Sequence, residues 1–147
     1  MAGSGHDGPE VGASATVDLI VREADCASAL KLSDDPRDNF PAVFATTRMI
    51  ALMELAGARI LQSLLQPGEM SVGAHVDVSH IAATPIGAKV TATATYRGRD
   101  GKLFVFDVIA HDPAGEIGRG MHKRAIISRD RLLAGAAKRC PIDSELL

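Results

Sequence analysis

From residue 46 to residue 65 the sequence carries one long helical pattern, and nearly everything after it alternates as strand. Apolar side chains stand at Met49, Ile50, Leu52, Met53, Ala56, Ile60, Leu61, Leu64 and Leu65. They cover more than one stripe, which predicts a helix buried on much of its circumference. Thr46 or Thr47 supplies a capping hydroxyl at its start, and Pro67-Gly68 a stop. A single helix of this kind needs a sheet to bury it, and an antiparallel sheet with one apolar face needs a cover.

The strands are legible from period-two alternation and turn residues. Residues 15–21 are rich in β-branched side chains and predict a first strand. Residues 22–41, with Ser33-Asp34-Asp35-Pro36 near the middle, predict a long loop, a length often tied to function in a compact domain. In residues 71–82, Val72, Ala74, Val76 and Val78 alternate with Ser71, His75, Asp77 and Ser79. Residues 89–97, 103–112 and 117–128 predict three more strands, with a tight hairpin signal at Asp100-Gly101 and a turn at Asp112-Pro113-Ala114-Gly115. Residues 129–138 predict a short terminal helix. The expected fold is α+β: an antiparallel five-stranded sheet wrapped around one long central helix, the hotdog architecture. The expected organisation is a flexible tail over 1–14, one domain over 15–138 and a second tail over 139–147. A sheet of this size leaves open edges, which dimerisation commonly hides, so a homodimer is expected.

Composition narrows the function classes. At 147 residues the chain is one domain's worth, able to bury roughly 70% of its unfolded surface. A net charge of −2 gives no electrostatic case for nucleic acid or an anionic membrane. With four Phe, one Tyr and no Trp, there is little with which to stack bases. The longest apolar stretch is broken by Glu54, Arg59 and Gln62, so no membrane span is expected. The Gly- and Ser-rich start does not have the make-up of a signal peptide. Two cysteines far apart in sequence, Cys26 and Cys140, point to a cytoplasmic location.

Three residues stand out as candidates for chemistry. Glu54 is the only charged residue from Met49 to Ala58. It is either a helix residue that looks onto solvent or pairs structurally, or a general base. His80 falls in phase with Val72, Ala74, Val76 and Val78, hence inward, as a satisfied core histidine or as a catalyst, while His75 falls on the opposite, polar face. Thr46 is a helix cap or a site residue. It lies eight residues before Glu54, a rise of ~12 Å on a straight helix, too far for a direct hydrogen bond. A third group, a water or a partner subunit would have to bridge them. Gly118, Gly120, His122 and Arg124 share one face of the last strand, as a bulge or edge or as a place of close approach to a ligand. No metal site is expected, because His75, Asp77, His80, His111 and His122 divide between strand faces.

A set of motifs completes the reading. Phe40-Pro41-Ala42-Val43-Phe44-Ala45-Thr46 leads to Leu52-Met53-Glu54; Ser79-His80-Ile81-Ala82-Ala83-Thr84-Pro85 follows, then His111-Asp112, Glu116-Ile117-Gly118, Gly120, His122 and Arg124. The region from about residue 40 to 128 resembles the fluoroacetyl-CoA thioesterase family of hotdog proteins, with the Thr–Glu and Glu–His spacings of eight and twenty-six residues intact. The resemblance implies an acyl-CoA thioesterase that needs no cofactor, coenzyme A being part of the substrate. It implies Thr46, Glu54 and His80 as catalytic, Gly73 as a backbone facing the substrate carbonyl, Arg124 at the acyl end of the pocket and Phe40 as one of two lid phenylalanines. The second lid position is Arg37 here, so the aromatic lid is incomplete. An acyl-CoA hydratase or dehydratase, and a non-catalytic acyl-CoA-binding protein, are the alternative readings. Product analysis separates the first, and the retained Thr, Glu and His argue against the second.

Overall fold

A computed structural model describes residues 8–142. The elements in chain order are β1 (Ser14–Ile20), α1 (Thr46–Leu61), β2 (Glu69–His80), β3 (Lys89–Asp100), β4 (Leu103–Asp112), β5 (Gly115–Ser128) and α2 (Arg129–Arg139). The five strands form one antiparallel sheet in the order β1-β3-β4-β5-β2, so β1 and β2 are its edges. The core lies between α1 and the inner faces of β3 and β4, where Val90, Ala92, Ala94 and Tyr96 meet Phe104, Phe106, Val108 and Ala110. This is the expected hotdog arrangement. Val90, Ala92 and Ala94 on β3 are short and let the helix approach closely, while Tyr96, Phe104, Phe106 and Phe44 fill the rest of the core.

Several local expectations change. The helix is buried along one stripe, Met49, Leu52, Met53, Ala56, Gly57 and Leu61, rather than around much of its circumference. Leu55 on the far side is 41% exposed. Ala45 is the N-cap and no side chain caps the helix, so neither Thr46 nor Thr47 has that role. The long loop holds three short 3-10 turns, Glu23–Asp25, Ala27–Ala29 and Pro36–Asp38. It is tied back to the start of α1 by backbone bonds from Ala27 to Val43 and from Ala45 to Asp25, 2.9 Å each. The β3–β4 loop is Gly101-Lys102, one residue later than the Asp100-Gly101 signal, with Gly101 at φ +59°. That positive φ suits the first position of a two-residue II′ hairpin. Of the expected N-terminal tail, residues 1–7 lie outside the described residues, whereas Gly12 and Ala13 hydrogen-bond to Tyr96 and Ser14 belongs to β1. The expected C-terminal tail begins inside α2, and residues 143–147 are outside the described residues.

Strand β2 departs most from simple alternation. Its pairing with β5 shifts between Gly73 and His75, leaving Ala74 as an extra residue. A bulge of this kind flips the phase of everything on one side of it. Val76, Val78 and His80 pair with His122, Gly120 and Gly118, whereas Ser71 and Gly73 pair with Ile126 and Arg124. Directly paired residues share a face, and His122 and Arg124 are buried on the inner one. Ser71 and Gly73 therefore point inward with His80, and Val72 outward, contrary to uniform alternation. His75 stays on the outer, exposed face as expected.

Candidate active site

Two segments build the first half of the site. Residues 43–45 lead into α1, and Ile81–Pro85 leave β2. They are fastened together by the Phe44 amide donating to the Thr84 carbonyl (2.9 Å) and by a bridge between Val43 and Pro85. Thr84, wholly buried, donates its hydroxyl to Asp112 Oδ2 at 2.8 Å. The start of α1 is held from the other side by Asp25, a buried carboxylate taking Arg22 Nε and Nη2 at 3.1 and 3.2 Å, with Arg48 at 3.7 Å. The Arg22 guanidinium beside it holds the Asp25 carboxyl below the usual carboxylate range, against the opposing pull of burial.

These braces set Thr46 Oγ1 2.8 Å from His80 Nδ1. The hydroxyl free to make this bond is the one that a capping role would have used. The pair opens onto a cleft of about 330 Å³ lined by Ala27, Val43, Phe44, Ala45, Ile81 and Ala82. His80 Nε2 is enclosed and makes no hydrogen bond. Burial lowers the His80 pKa below its ordinary value, and the Ala82 backbone opposes this in part. A neutral ring with one nitrogen on a threonine and the other buried beside the cleft can hold or pass a proton once a bound group reaches it.

Glu54 lies elsewhere. It is on the same helix two turns further on, and its side chain is about one-third exposed rather than sealed in the core. Oε1 is 3.7 Å from Arg124 Nη1 and 3.8 Å from His122 Nε2. Gly73 packs directly against the carboxylate, and Gly57, one turn below Glu54, faces His122, Arg124 and Phe106 at distances that would give a Cβ ordinary contact. Arg124 is 7% exposed, and Nε and Nη2 donate to Ser71 Oγ and the Ser71 carbonyl at 3.0 and 2.9 Å. One chain thus gathers Thr46 with His80, and Glu54 with Gly73 and Arg124, as two separate groups.

Phe40 is 55% exposed and does not line the cleft. Arg37 is 87% exposed and bidentate to Asp35, at 2.6 to 3.1 Å. Sequence reasoning missed Ser71, which it put on the polar face, and gave no role to His122, although His122 shares a strand face with Arg124. The signal that could have found Ser71 is Gly73, a glycine inside the strand beside the extra residue Ala74, which commonly marks a bulge.

Comparison with known proteins gives a consistent result. The sequence profile of the fluoroacetyl-CoA-specific thioesterase family matches residues 21–130. The fluoroacetyl-CoA thioesterase of Streptantibioticus cattleyicolor is 39% identical over 135 residues, covering 92% of this chain and 97% of that protein. A solved structure of the fluoroacetyl-CoA thioesterase superposes with a TM-score of 0.85 at 40% identity, over 92% of this chain and all of the other. A thioesterase superfamily member from Thermus thermophilus gives a TM-score of 0.76 at 25% identity, over 88% of this chain and 91% of that one. The chain belongs to the fluoroacetyl-CoA-specific thioesterase family of hotdog-fold hydrolases.

Proposed function

We propose that this protein hydrolyses small or medium acyl-coenzyme A thioesters to the free acid and coenzyme A, acting as a homodimer. The observation that carries the reading is the Thr46–His80 pair lining a cleft of mixed polarity, with Nε2 buried and without a hydrogen bond. If the Thr46 hydroxyl donates to Nδ1, Nε2 carries the ring proton and serves as a donor to the thioester carbonyl. Backbone N–H groups near Gly73 add to that polarisation. Glu54 has no hydrogen bond within ordinary reach of its Oε1 partners, and its carboxylate takes a proton from water as the water oxygen attacks the carbonyl carbon. The C–S bond then breaks, and the departing coenzyme A sulfur takes the proton that Glu54 gained from water.

A homodimer would account for the separation of the two groups. β2 is an edge strand whose residues from Gly73 to Asp77 are exposed, Val76 being 40% accessible, and Leu55 of α1 is exposed as well. Antiparallel pairing of β2 with its own copy, about a two-fold axis near the middle of the strand, carries His80 of one copy toward the Gly73 end of the other. Thr46 and His80 of one chain then work with Glu54 of its partner. No helix among the described residues is long and apolar enough to cross a membrane. Cys26 and Cys140 are both free thiols, in keeping with a reducing cytoplasm.

The test is thiol release from a panel of short, branched and aromatic acyl-CoAs, with Glu54→Gln as the control. The wild-type protein is expected to release thiol, and the variant to turn over at least ~100-fold more slowly while remaining folded. Double-bond hydration without thiol release would instead support a hydratase, and near-normal turnover in folded Glu54→Gln would remove the acid from the mechanism.

A further inference from the structure

His122 is buried to 1% on β5, against Glu54, and the mechanism above does not use it. Its hydrogen bonds fix its chemical state. Nδ1 lies 2.8 Å from the His75 carbonyl, which only accepts, so Nδ1 carries the proton. Nε2 lies 3.1 Å from Arg124 Nη1, which only donates, so Nε2 is bare. The Arg124 guanidinium is thereby held at three points, Ser71 Oγ, the Ser71 carbonyl and His122 Nε2, none of them the carboxylate that it faces.

We propose that His122 is a positioning residue that, as the neutral Nδ1–H tautomer, fixes the Arg124 guanidinium beside Glu54 and so sets where that carboxylate stands. The inference rests on Glu54 being the base of the reaction. The ring is packed by three elements: Phe106 of β4 stacks on it at 6.5 Å between centroids, Gly57 of α1 faces it, and β2 supplies the His75 carbonyl. The charged or titratable groups facing it are Arg124 on its own strand, Glu54 from α1 and His75 from β2. Burial holds its pKa below the ordinary value, and the His75 carbonyl opposes this; Arg124 and His75 then push down, and Glu54 up. A proton added at Nε2 would set a second positive charge against Arg124 Nη1 and break the third anchor. The new N–H would face Glu54 Oε1, 3.8 Å away, and draw the carboxylate from its working position.

The tautomer is read directly by long-range proton–nitrogen NMR on the wild-type protein, with His122→Gln used to assign the resonances. The expected result at pH 7 is a protonated Nδ1 and a bare Nε2; a protonated Nε2 or a charged ring overturns the proposal. Two variants test the consequence. His122→Gln keeps an oxygen acceptor for Arg124, and His122→Phe keeps the flat ring against Phe106 without one. His122→Phe is expected to lower kcat about 10-fold or more with KM nearly unchanged, from a displaced carboxylate, and His122→Gln to recover much of it. A purely structural role would lower both variants alike and would overturn the inference. Loss of turnover in Glu54→Gln together with wild-type kcat in His122→Phe overturns this inference alone. Normal turnover in Glu54→Gln overturns the reading of Glu54 and this inference with it. If His122→Phe does not fold, the wild-type tautomer and the kcat of His122→Gln decide.

Discussion

An alanine at position 73 would set its Cβ well inside 3.0 Å of Glu54 Oε1, closer than real Cβ atoms approach a neighbour. The next obstacle, His122 Cε1, is at 3.3 Å and needs only a few tenths of an ångström of relief. Gly73 has no positive φ, so alanine there carries no backbone strain. The group that must yield is thus the free end of a flexible, partly exposed side chain, and folding should lose little. To regain ordinary contact beyond 3.4 Å the carboxylate must move by about 1 Å, a misplacement that typically costs on the order of 100-fold in rate. Gly120→Ala is the contrasting perturbation, because its Cβ would meet the backbone of Asp77 and Val78 on the neighbouring strand. Sheet backbone cannot swing aside, so that variant should lose stability. The assay is thiol release alongside thermal unfolding monitored by circular dichroism. Gly73→Ala is expected to melt within a few degrees of wild type with kcat down about 100-fold, and Gly120→Ala to melt much lower. Wild-type turnover in Gly73→Ala, or an unfolded Gly73→Ala, would refute the idea that this glycine exists to seat the acid.

Three further outcomes follow. Burial lowers the His80 pKa, and the neutral ring is the working form, so activity should be full above ~6.5 and fall only as pH drops through the lowered value. His80→Ala should abolish that limb, and a limb above 6.5 would contradict the assignment. Light scattering should report about twice 15.4 kDa, and Val76→Lys, on the open β2 edge, should give an inactive species of single-chain mass; a fully active monomer would rule out a shared site. Arg37, solvated and paired with Asp35, cannot complete an aromatic lid, so kcat/KM for fluoroacetyl-CoA should exceed that for acetyl-CoA by no more than the 10- to 200-fold typical of a methylene-scale difference. Arg37→Phe should raise that ratio, and a wild-type ratio far above this range would mean that the lid works without a second phenylalanine.

The element order was legible because its signals are local. The apolar run of α1, the alternation of β3 and β4 and the residues around Gly101 and Gly115 each act over a few neighbours, and each element appears within a few residues of its expected place. The candidate site residues were legible through misfit: Glu54 alone in an apolar helix, and His80 in a row of valines. What escaped depended on distant partners. A threonine at a helix start reads as a cap until a histidine thirty-four residues away claims its hydroxyl. Glu54 reads as buried until the sheet is seen to cover only one stripe of its helix.

The bulge in β2 shows how one unpaired residue redistributes chemistry. Had the strand alternated without interruption, Val72 and Ala74 would share the inner face with His80, and Ser71 would point to solvent. Arg124 would then lose both Ser71 acceptors and keep only His122 Nε2 and the more distant Glu54 carboxylate, a costly loss for a buried guanidinium. With Ala74 extruded from the pairing, Ser71 supplies two acceptors and Gly73 opens the space that the Glu54 carboxylate fills. The same shift leaves His80 inward, because it lies beyond the bulge and keeps register with Gly118. One strand therefore presents both halves of the site on one face, Gly73 toward one end and His80 at the other. In the proposed homodimer, two such strands paired antiparallel would bring those halves together.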